Sequence, residues 1–449
     1  MKVYVISKNT PIGILEENEY GLITFEYLDS VTKNDYLPGL NKNKTNSQKL
    51  LFPIFDALLP EDGKVDAIKS TYDVAYEIEV LLHLESIHGA FTFLSEENYA
   101  TYTPSKFVEI DFLRDKKKIL DSDYSFPNLL DYTIDIEDNS LYETVERKGK
   151  VIGLSGFQNK FSIHINNATT TITQCEDSNY FMKPYNKSYA VYNFKTAKTK
   201  LYAPYLALNE HLFMTMARDL GFDVPWNALI KDKIDFHYVI KRFDRFKGSS
   251  IEHYDLGALM GLHSSDKYNP TYEKIFRVLR EKLDDTELLK AFKFIVFSAV
   301  IGHGDLHAKN ISVIRSNNKR DIEIRYLFSP LYDVSTTGIY KDLKGKDLGL
   351  KLDGHDKKIK LKQFLAFGKT LGFNKEVLMV EIDQVVDYFV NRFNDYIMAL
   401  PESVQLLPFT ISRYSKRTLK EIFMRYYKER IDYINEYIKK VIARPKDIF

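Results

Sequence analysis

The chain has 449 residues, of which 44 per cent are hydrophobic and 28 per cent are charged, which is enough apolar sequence for two or three domains with sizeable cores. Its 63 Lys and Arg against 62 Asp and Glu give a formal net charge of +1, which excludes a global electrostatic basis for direct nucleic-acid binding. The single cysteine, Cys175, excludes an internal disulfide, and no apolar run predicts a signal peptide or a membrane span, so we expect a cytoplasmic protein without membrane association.

Residues 153–160 read Gly-Leu-Ser-Gly-Phe-Gln-Asn-Lys and precede the alternating residues Phe161, Ile163 and Ile165. This pattern predicts a flexible loop that opens into a β-strand. Glycine lets backbone amides approach phosphate oxygens closely, although a turn with two glycines is more often only a turn. The segment is therefore a candidate phosphate loop that needs support from the rest of the chain.

Lys183 follows Tyr180–Met182 and so falls at the end of a short apolar strand, from which its ammonium would reach nucleotide phosphates. Residues Tyr205–Leu220 have apolar side chains at helical spacing and predict a helix. Glu210 lies within that helix. Pairing with Lys183, pairing with a metal loop and simple surface exposure are all open to it.

Residues Phe236–Arg245 run from an apolar strand into charged residues, and a loop follows at 246–250. This order is typical of a hinge between two lobes, in which backbone groups from Lys241 to Phe243 read the edge of an adenine. An ordinary edge strand followed by a turn would have the same pattern.

Residues 303–310 read His-Gly-Asp-Leu-His-Ala-Lys-Asn and set Asp305 and Asn310 five positions apart, the spacing of a phosphotransfer catalytic loop. In such a loop the aspartate orients the attacking hydroxyl, and the asparagine oxygen holds a divalent cation against the nucleotide phosphates. Both roles need oxygen atoms, because a hard ion such as magnesium prefers carboxylate, amide and water ligands. The octet therefore predicts a kinase.

The sequence around the octet supports that prediction. The apolar run Phe294–Ile301 predicts a buried element before it, and Ile311–Ile314 with Ile322–Leu327 predicts a hairpin after it. Asp333 follows this hairpin, where a kinase needs its second metal-binding carboxylate. A polar turn would explain the octet too, as would a metal-hydrolase site with His303, Asp305 and His307 on one face of a strand, but neither explains Asn310 and Asp333 together.

The C-terminal part is predicted to be mainly helical, with helices at Leu361–Leu371, Lys375–Met398 and Ser415–Ala443 that pack the larger lobe. Aromatic residues recur at helical spacing in the last of these. We interpret them as core rather than as a recognition surface: Tyr426, Tyr427, Tyr433 and Tyr437.

Together these residues resemble the HipA family of serine/threonine kinases, the toxin components of bacterial HipBA-type toxin–antitoxin pairs. The resembling motifs are the phosphate loop 156–160, the lysine motif 181–184, the helix motif 209–210, the hinge signature 241–245, the catalytic motif 305–312 and the metal motif 330–334. The hinge signature more usually starts with glutamate, whereas this chain has Lys241. Segments 11–15, 21–27, 58–61 and 88–91 resemble the family's small N-terminal domain, while residues 105–150 hardly match and are interpreted as an insertion or linker.

The resemblance implies an α+β, two-lobed protein-kinase-like fold. Its parts would be a small β-rich N-terminal domain at 1–104, a linker and kinase N-lobe at 105–245, and a mainly helical C-lobe at 246–449. Asp305 would be the catalytic base, Asn310 and Asp333 the Mg²⁺ ligands, and Lys183 the phosphate lysine. The remaining ATP-binding residues would be Ser155, Gly156, Phe157, Gln158, Asn159, Lys160, Lys241, Arg242, Phe243, His307, Lys309 and Tyr332.

The resemblance further implies a protein substrate, since family toxins modify aminoacyl-tRNA synthetases, and a HipB-like helix-turn-helix antitoxin that brings the kinase to operator DNA indirectly. Many family members also phosphorylate a serine of their own phosphate loop, for which Ser155 is the candidate here. Two other functions remain open: a small-molecule phosphotransferase of the aminoglycoside or choline kinase type, and an inactive kinase-fold corepressor.

Overall fold

The protein is described by a computed structural model over residues 1–43, 45–60, 64–136, 151–152, 160–176, 178–187, 190, 202–316, 325–340, 343, 345–412 and 415–441. Within these ranges, no helix combines the length and the apolar composition that crossing a membrane requires. The predicted phosphate-loop residues from Ser155 to Asn159 lie outside the described residues, whereas Lys160 lies within them.

The described strands, in chain order, are β1 Lys2–Ser7, β2 Thr10–Glu17, β3 Ile23–Tyr27, β4 Asn46–Gln48, β5 Leu84–Glu85, β6 Phe91–Leu94, β7 Leu129–Leu130, β8 Thr133–Asp135, β9 Val151–Ile152, β10 Phe161–Asn166, β11 Thr171–Gln174, β12 Tyr180–Lys183, β13 Asn227–Lys231, β14 Phe236–Lys241, β15 Arg245–Phe246, β16 Ser249–Ser250, β17 His253–Asp255, β18 Ser312–Ser316, β19 Arg325–Phe328, β20 Pro408–Ser412 and β21 Ser415–Thr418. The described α-helices are α1 Pro53–Asp56, α2 Lys64–Tyr72, α3 Glu96–Thr101, α4 Phe112–Leu120, α5 Leu206–Asp219, α6 Leu256–Leu259, α7 Tyr272–Lys282, α8 Asp285–Ile301, α9 Leu361–Thr370, α10 Lys375–Ala399, α11 Glu402–Gln405 and α12 Leu419–Tyr437.

The N-terminal part is built on an antiparallel sheet of five strands in the order β4-β3-β2-β1-β6. One face of the sheet is apolar, because alternate residues such as Val3 and Val5 are fully buried. The buried rings of Phe25 and Phe55 lie 5.7 Å apart and join this sheet to helix α1. The sheet and the helix thus share a hydrophobic core, which a sheet of short strands needs for stability.

The next sheet has seven strands in the order β7-β13-β14-β12-β10-β11-β8. Its five central strands are antiparallel, and the short strands β7 and β8 add in parallel at the two edges. Residues 112–135, within the stretch that the sequence suggested as linker or insertion, supply helix α4 and both of these edge strands. Lys183 pairs with Tyr238 of β14, which fixes the position of its side chain on the sheet.

Helix α5 packs on this sheet with every residue from Ala207 to Ala217 buried. The sequence predicted it at Tyr205–Leu220, and Tyr205 is the N-cap in a left-handed conformation with φ of 55°. The buried carboxylate of Asp235 accepts a hydrogen bond from the Tyr205 amide at 2.8 Å, which satisfies an N–H at the helix start. The sheet therefore anchors the beginning of α5 directly.

The larger C-terminal part is mainly helical. Its long helices begin at polar N-cap residues, whose side chains accept hydrogen bonds from amides of the first turn: Asp284 for α8, Asn374 for α10 and Thr418 for α12. A three-stranded antiparallel sheet, β17-β18-β19, also belongs to this part. The observed architecture confirms the α+β fold with a β-rich N-terminal region and a mainly helical C-terminal region.

Both ends of one helix in this part were predicted wrongly. The predicted helix at Ser415–Ala443 is shorter, because Ser415–Thr418 forms strand β21 against β20, and α12 begins only after Thr418 and ends at Tyr437. Thr418 and Glu421 form a reciprocal capping box there, which sets the helix start more strongly than the apolar spacing upstream. Tyr426, Tyr427 and Tyr433 are buried, so their interpretation as core residues is confirmed.

Candidate active site

A cleft of about 670 Å³, open to solvent, lies between the seven-stranded sheet and the segments that follow helix α8. Its walls come from sequence positions more than two hundred residues apart. The lining residues are His88, Lys160, Phe181, Lys183, Ile240, Lys241, Arg242, Phe243, Asp244, His253, Asp255, Lys309, Tyr332 and Asp333. A concave site that combines aromatic rings with charged groups at one end is typical of small-molecule binding sites.

Lys183 forms the centre of the charged end. Its ammonium donates hydrogen bonds to both carboxylate oxygens of Glu210, at 2.8 and 3.0 Å, and to Oδ1 of Asp333. The Lys183 and Glu210 side chains are 4 and 5 per cent exposed, whereas the Asp333 side chain is 29 per cent exposed. The structure thus selects the Lys183 pairing for Glu210, one of the three possibilities that the sequence left open.

The charge of this trio follows from its burial and mutual contacts. Burial disfavours the Lys183 ammonium, but the carboxylates of Asp333 and Glu210 outweigh it and raise the Lys183 pKa. Burial likewise opposes ionisation of Asp333, yet the charges of Lys183 and Lys160 lower its pKa. Burial raises the pKa of Glu210, and Lys183 opposes that rise. A cation and an ionised Asp333 therefore face the cleft at neutral pH.

Asn310 lies beside Asp333 on the neighbouring loop. Its Nδ2 is 3.5 Å from Oδ2 of Asp333, and its Oδ1 accepts a hydrogen bond from the His307 amide at 3.3 Å. Asp333 has a left-handed backbone with φ of 54°, a conformation uncommon outside glycine that recurs at functional sites. The two predicted magnesium ligands are thus neighbours in space although 23 residues separate them in sequence.

The loop 303–310, called the catalytic loop below, is held in place by close backbone contacts. Helix α8 ends at Gly302 with φ of 64°, which turns the chain sharply into the loop. A side chain at Gly349 would place its Cβ only 2.4 Å from the Leu306 carbonyl oxygen. The catalytic loop and the segment around Gly349 can therefore approach this closely only because Gly349 has no side chain.

Asp305 is exposed at the surface of the catalytic loop, and its Oδ1 accepts a hydrogen bond from the hydroxyl of Tyr268. His307 is buried, and its ring meets the Tyr268 ring edge-on with the centroids 5.0 Å apart. Among the described residues that the sequence predicted to bind ATP, His307 and Asn310 do not line the cleft, whereas all the others do. The acceptor side of the loop is therefore shared by Asp305 and Tyr268.

The arrangement of the octet does not match the metal-hydrolase alternative. His303 is 1 per cent exposed, and burial lowers its pKa to about 4, while Asp305 points to the surface. Across the part of the chain that the structure describes, no group of three or more His, Cys, Asp or Glu side chains could hold a metal ion.

The segment Lys241–Phe243, called the hinge below, runs along the other end of the cleft. The amides of Lys241 and Arg242 donate to the carbonyls of Trp226 and Asn179, at 2.8 and 2.6 Å, so neither amide is a donor for a nucleobase. The Phe243 ring stacks on Tyr332 with centroids 6.0 Å apart and meets His253 edge-on at 5.1 Å. These rings form an apolar surface suited to a flat base.

The Arg242 side chain is directed toward the N-terminal region and does not bind a nucleotide in this arrangement. Its guanidinium is buried, donates to Asp244 at 2.9 and 2.8 Å, and donates to the carbonyls of Ser86 and Ile87 at 3.0 Å each. Asp244 in turn accepts a hydrogen bond from the Gly89 amide at 3.0 Å. Arg242 therefore joins the hinge to the N-terminal region rather than offering its charge to the cleft.

Several residues of the site were missed in the sequence. His88 and His253 line the cleft with their rings 5.3 Å apart, although they lie in the N-terminal region and in β17. Phe181 also lines it, and Tyr268 contacts Asp305. Alternation along β12 was the available signal for Phe181, since Lys183 is two residues further on the same face. His88, His253 and Tyr268 had no such signal, because only the tertiary fold brings them to the site.

Comparisons with known proteins give a consistent result. A family model described as HipA-like C-terminal domain matches residues 152–393, slightly more than half of the chain. A Haemophilus influenzae protein named "Putative kinase" is 26 per cent identical over 268 residues, which cover 53 per cent of this chain and 72 per cent of that protein. A Sinorhizobium fredii protein named "Putative kinase Y4dM" is 32 per cent identical over 152 residues, which cover 31 and 36 per cent of the two chains.

A solved structure matches almost the whole chain. It belongs to a complex of HipA, HipB and operator DNA from the toxin–antitoxin system of Shewanella oneidensis MR-1, with a TM-score of 0.65 at 16 per cent identity. The alignment covers 97 per cent of each chain. The match shows that the two chains share a fold, in agreement with the predicted α+β architecture.

Proposed function

Because this chain belongs to the family of the HipA-like C-terminal domain, we propose that it is a protein kinase that transfers the γ-phosphate of ATP to a serine or threonine hydroxyl. The observation that carries this proposal is the Lys183–Glu210–Asp333 cluster at one end of the cleft, with Asn310 and Asp305 on the adjoining loop. A lysine–glutamate ion pair and a metal-binding aspartate are the parts that phosphotransfer in this class of fold requires.

ATP would lie with its base on the rings of Phe243 and Tyr332 and with its phosphates toward Lys183. The ammonium of Lys183 is protonated and is held by both oxygens of Glu210, and an ATP phosphate would take the place that Oδ1 of Asp333 now has on it. Lys160, whose ammonium lies 6.0 Å from the Phe181 ring centroid, adds a second positive charge at the same end. The loop before it, Ser155–Asn159, would cover the phosphates.

Magnesium fits the donors at this end of the cleft. Asp333 supplies an ionised carboxylate, Asn310 supplies an amide, and bound phosphates would complete the oxygen set. The Asn310 nitrogen faces Asp333 in the described arrangement, so the amide must turn over to present its oxygen to the ion. When bound, the ion neutralises charge that develops on the transferred group.

Asp305 is placed to receive the acceptor. It is the one carboxylate of the catalytic loop, it is exposed, and it already accepts a hydrogen bond from a hydroxyl group. A substrate hydroxyl bound in the same way would be oriented for attack and would pass its proton to Asp305. The buried His303 stays neutral at pH 7, because burial lowers its pKa to about 4, and so it supports the loop without competing for this proton.

The direct test is phosphate transfer from γ-labelled ATP to proteins of a host lysate, with Asp305→Asn as the test variant. We expect labelled protein bands with the wild type and a loss of about 10² to 10⁴ in rate with Asp305→Asn, the usual contribution of a positioned acid or base. Asp395→Asn is the matched control, because Asp395 is an exposed surface carboxylate paired with Arg392. Labelled small metabolites without labelled proteins would favour a small-molecule phosphotransferase instead.

Family membership supports a proposed partner and substrate class. The matched Shewanella oneidensis complex contains HipA, HipB and operator DNA, which supports a HipB-like helix-turn-helix antitoxin for this chain and DNA contact only through it. Co-purification with the product of a neighbouring short reading frame would test the pair. An aminoacyl-tRNA synthetase is the proposed substrate class, and recovery of a labelled synthetase from the lysate experiment would identify it.

Self-phosphorylation at Ser155 is the proposed means of inactivation. A phosphate on Ser155 would add about 1.5 to 2 negative charges and would repel the ATP phosphates. Mass spectrometry after incubation with ATP and Mg²⁺ should find the modified serine in the wild type and not in Asp305→Asn. Full kinase activity with an unmodified Ser155 would remove this part of the proposal.

A further inference from the structure

The hydroxyl of Tyr268 contacts the carboxylate of Asp305, the proposed catalytic base. It donates a hydrogen bond to Oδ1 of Asp305, the same contact that a substrate hydroxyl makes in a phosphotransfer site. The Tyr268 side chain is 46 per cent exposed, so it reaches the carboxylate from the solvent side, where a protein substrate would enter. The Tyr268 hydroxyl therefore occupies, on Oδ1, a solvent-facing acceptor position that a substrate hydroxyl would use.

The backbone around Tyr268 holds the ring in this position. The Ser264 amide donates to Oδ2 of Asp56 at 2.6 Å, and Lys309 of the catalytic loop donates to the Ser264 hydroxyl at 2.9 Å. On the other side of Tyr268, the Tyr272 hydroxyl donates to the Leu306 carbonyl at 3.1 Å. The segment 264–272 thus crosses the catalytic loop and is fastened to it at both ends.

Further contacts next to Tyr268 do not use its hydroxyl. The Ala308 amide donates to the Lys267 carbonyl at 3.2 Å, and the Lys267 ammonium lies 5.5 Å from the centre of the Tyr268 ring. The ring also meets His307 edge-on. Because these contacts persist without the hydroxyl, its removal changes the hydrogen bond to Asp305 and leaves the segment in place.

We infer that Tyr268 is an acceptor-site gate, whose hydroxyl occupies the place of the substrate hydroxyl on Asp305 until a substrate displaces it. The inference rests on the proposed kinase function and names a residue that controls access to it. Opening exchanges one hydrogen bond for another: the phenol leaves Asp305 for water, and the incoming hydroxyl takes its place. To open, the side chain rotates away from His307 and Lys267 into the solvent that already covers almost half of it.

The gate has a definite kinetic signature. A site that is closed for most of the time acts with an apparent efficiency reduced by its open fraction. The ATP site is not involved, since the lining of the cleft includes Lys183 and the hinge but not Tyr268. Loss of the hydroxyl should therefore raise the rate with any acceptor, water included, and should leave the KM for ATP unchanged.

The test measures phosphate release from ATP by the full chain with Mg²⁺ and with water as the acceptor. Tyr268→Phe removes the hydroxyl but keeps the ring against His307, and we expect release to rise about fivefold, since a hydrogen bond to a charged but solvent-exposed group is worth a modest factor. Tyr20→Phe is the matched control, because Tyr20 is 82 per cent exposed in the N-terminal region. Its rate should equal that of the wild type.

Each other result counts against the gate. A slower rate for Tyr268→Phe would show that the hydroxyl assists Asp305, and an equal rate would show that it does not exclude acceptors. Phosphate on Tyr268 after incubation with ATP would make this residue a substrate instead. If wild type and Tyr268→Phe both release phosphate no faster than Asp305→Asn, the gate is refuted, and the labelling experiment on host proteins decides separately on the kinase function.

Discussion

Replacing Lys183 by Met should lower the free energy of unfolding and should also abolish phosphate transfer. The substitution keeps most of the side-chain volume but leaves Glu210 and Asp333 as neighbouring carboxylates without their shared cation. Breaking a buried pair by removal of one partner costs about 3 to 5 kcal/mol. Water reaches the 29 per cent exposed Asp333 side chain, so we expect the lower end, about 3 kcal/mol at pH 7.

The assay is urea unfolding at pH 7, and Lys439→Met is the matched control. Lys439 also bridges two carboxylates, Asp383 at 2.7 Å and Asp387 at 2.8 Å, but these side chains are 41 and 58 per cent exposed. The control should lose less than about 1 kcal/mol, as surface pairs do. Equal losses in the two variants would refute the reasoning, because burial would then not distinguish the Lys183 cluster from a surface ion pair.

Three further substitutions probe the framework of the site. Gly349→Ala should lower kcat with little change in ATP affinity, because its Cβ would press on the Leu306 backbone and cost about 1 to 3 kcal/mol of strain; enzyme kinetics and calorimetry separate the two effects. Asn209→Ala removes two hydrogen bonds to the Thr336 backbone, at 2.8 and 3.1 Å, so the Mg²⁺ concentration for half-maximal transfer should rise. Burial lowers the pKa of His211 from 6.5 to about 4. Between these two pH values the His211 ring is therefore mostly protonated in the unfolded chain and mostly neutral in the folded chain. Stability should fall from pH 6.5 to pH 4 by up to about 3 kcal/mol through this group, and thermal melts of His211→Gln should show a shallower fall.

The order of elements around the site was predictable from local sequence. The strand before Lys183, the helix around Glu210 and the strand before the hinge each have a short, regular apolar pattern, and all three occur within one or two residues of the predicted bounds. The first residues of the predicted helix at Ser415 failed because apolar spacing does not locate a helix start. The Thr418 capping box does, since its hydrogen bonds satisfy the first amides of the helix.

The contacts between segments were not predictable from one sequence. Glu210 had three possible roles until the fold placed Lys183 within 2.8 Å of it. Arg242 resembled a hinge residue for the nucleotide, but its guanidinium is committed to Asp244 and the N-terminal region. Tyr268 stands 37 positions before Asp305 and bears no motif that links the two. Pairings of this kind depend on tertiary packing, which the spacing of residues in a single chain does not encode.

We propose that side chains from distant parts of the chain form one binding site for ATP and Mg²⁺. Isothermal titration calorimetry of the folded wild type with ATP, in the presence and absence of Mg²⁺, measures this binding, with Asp333→Asn as the comparison. The wild type should bind one ATP per chain more tightly with Mg²⁺, and Asp333→Asn should lose that gain. Folded wild-type protein that takes up no ATP in the presence of Mg²⁺ would contradict the account.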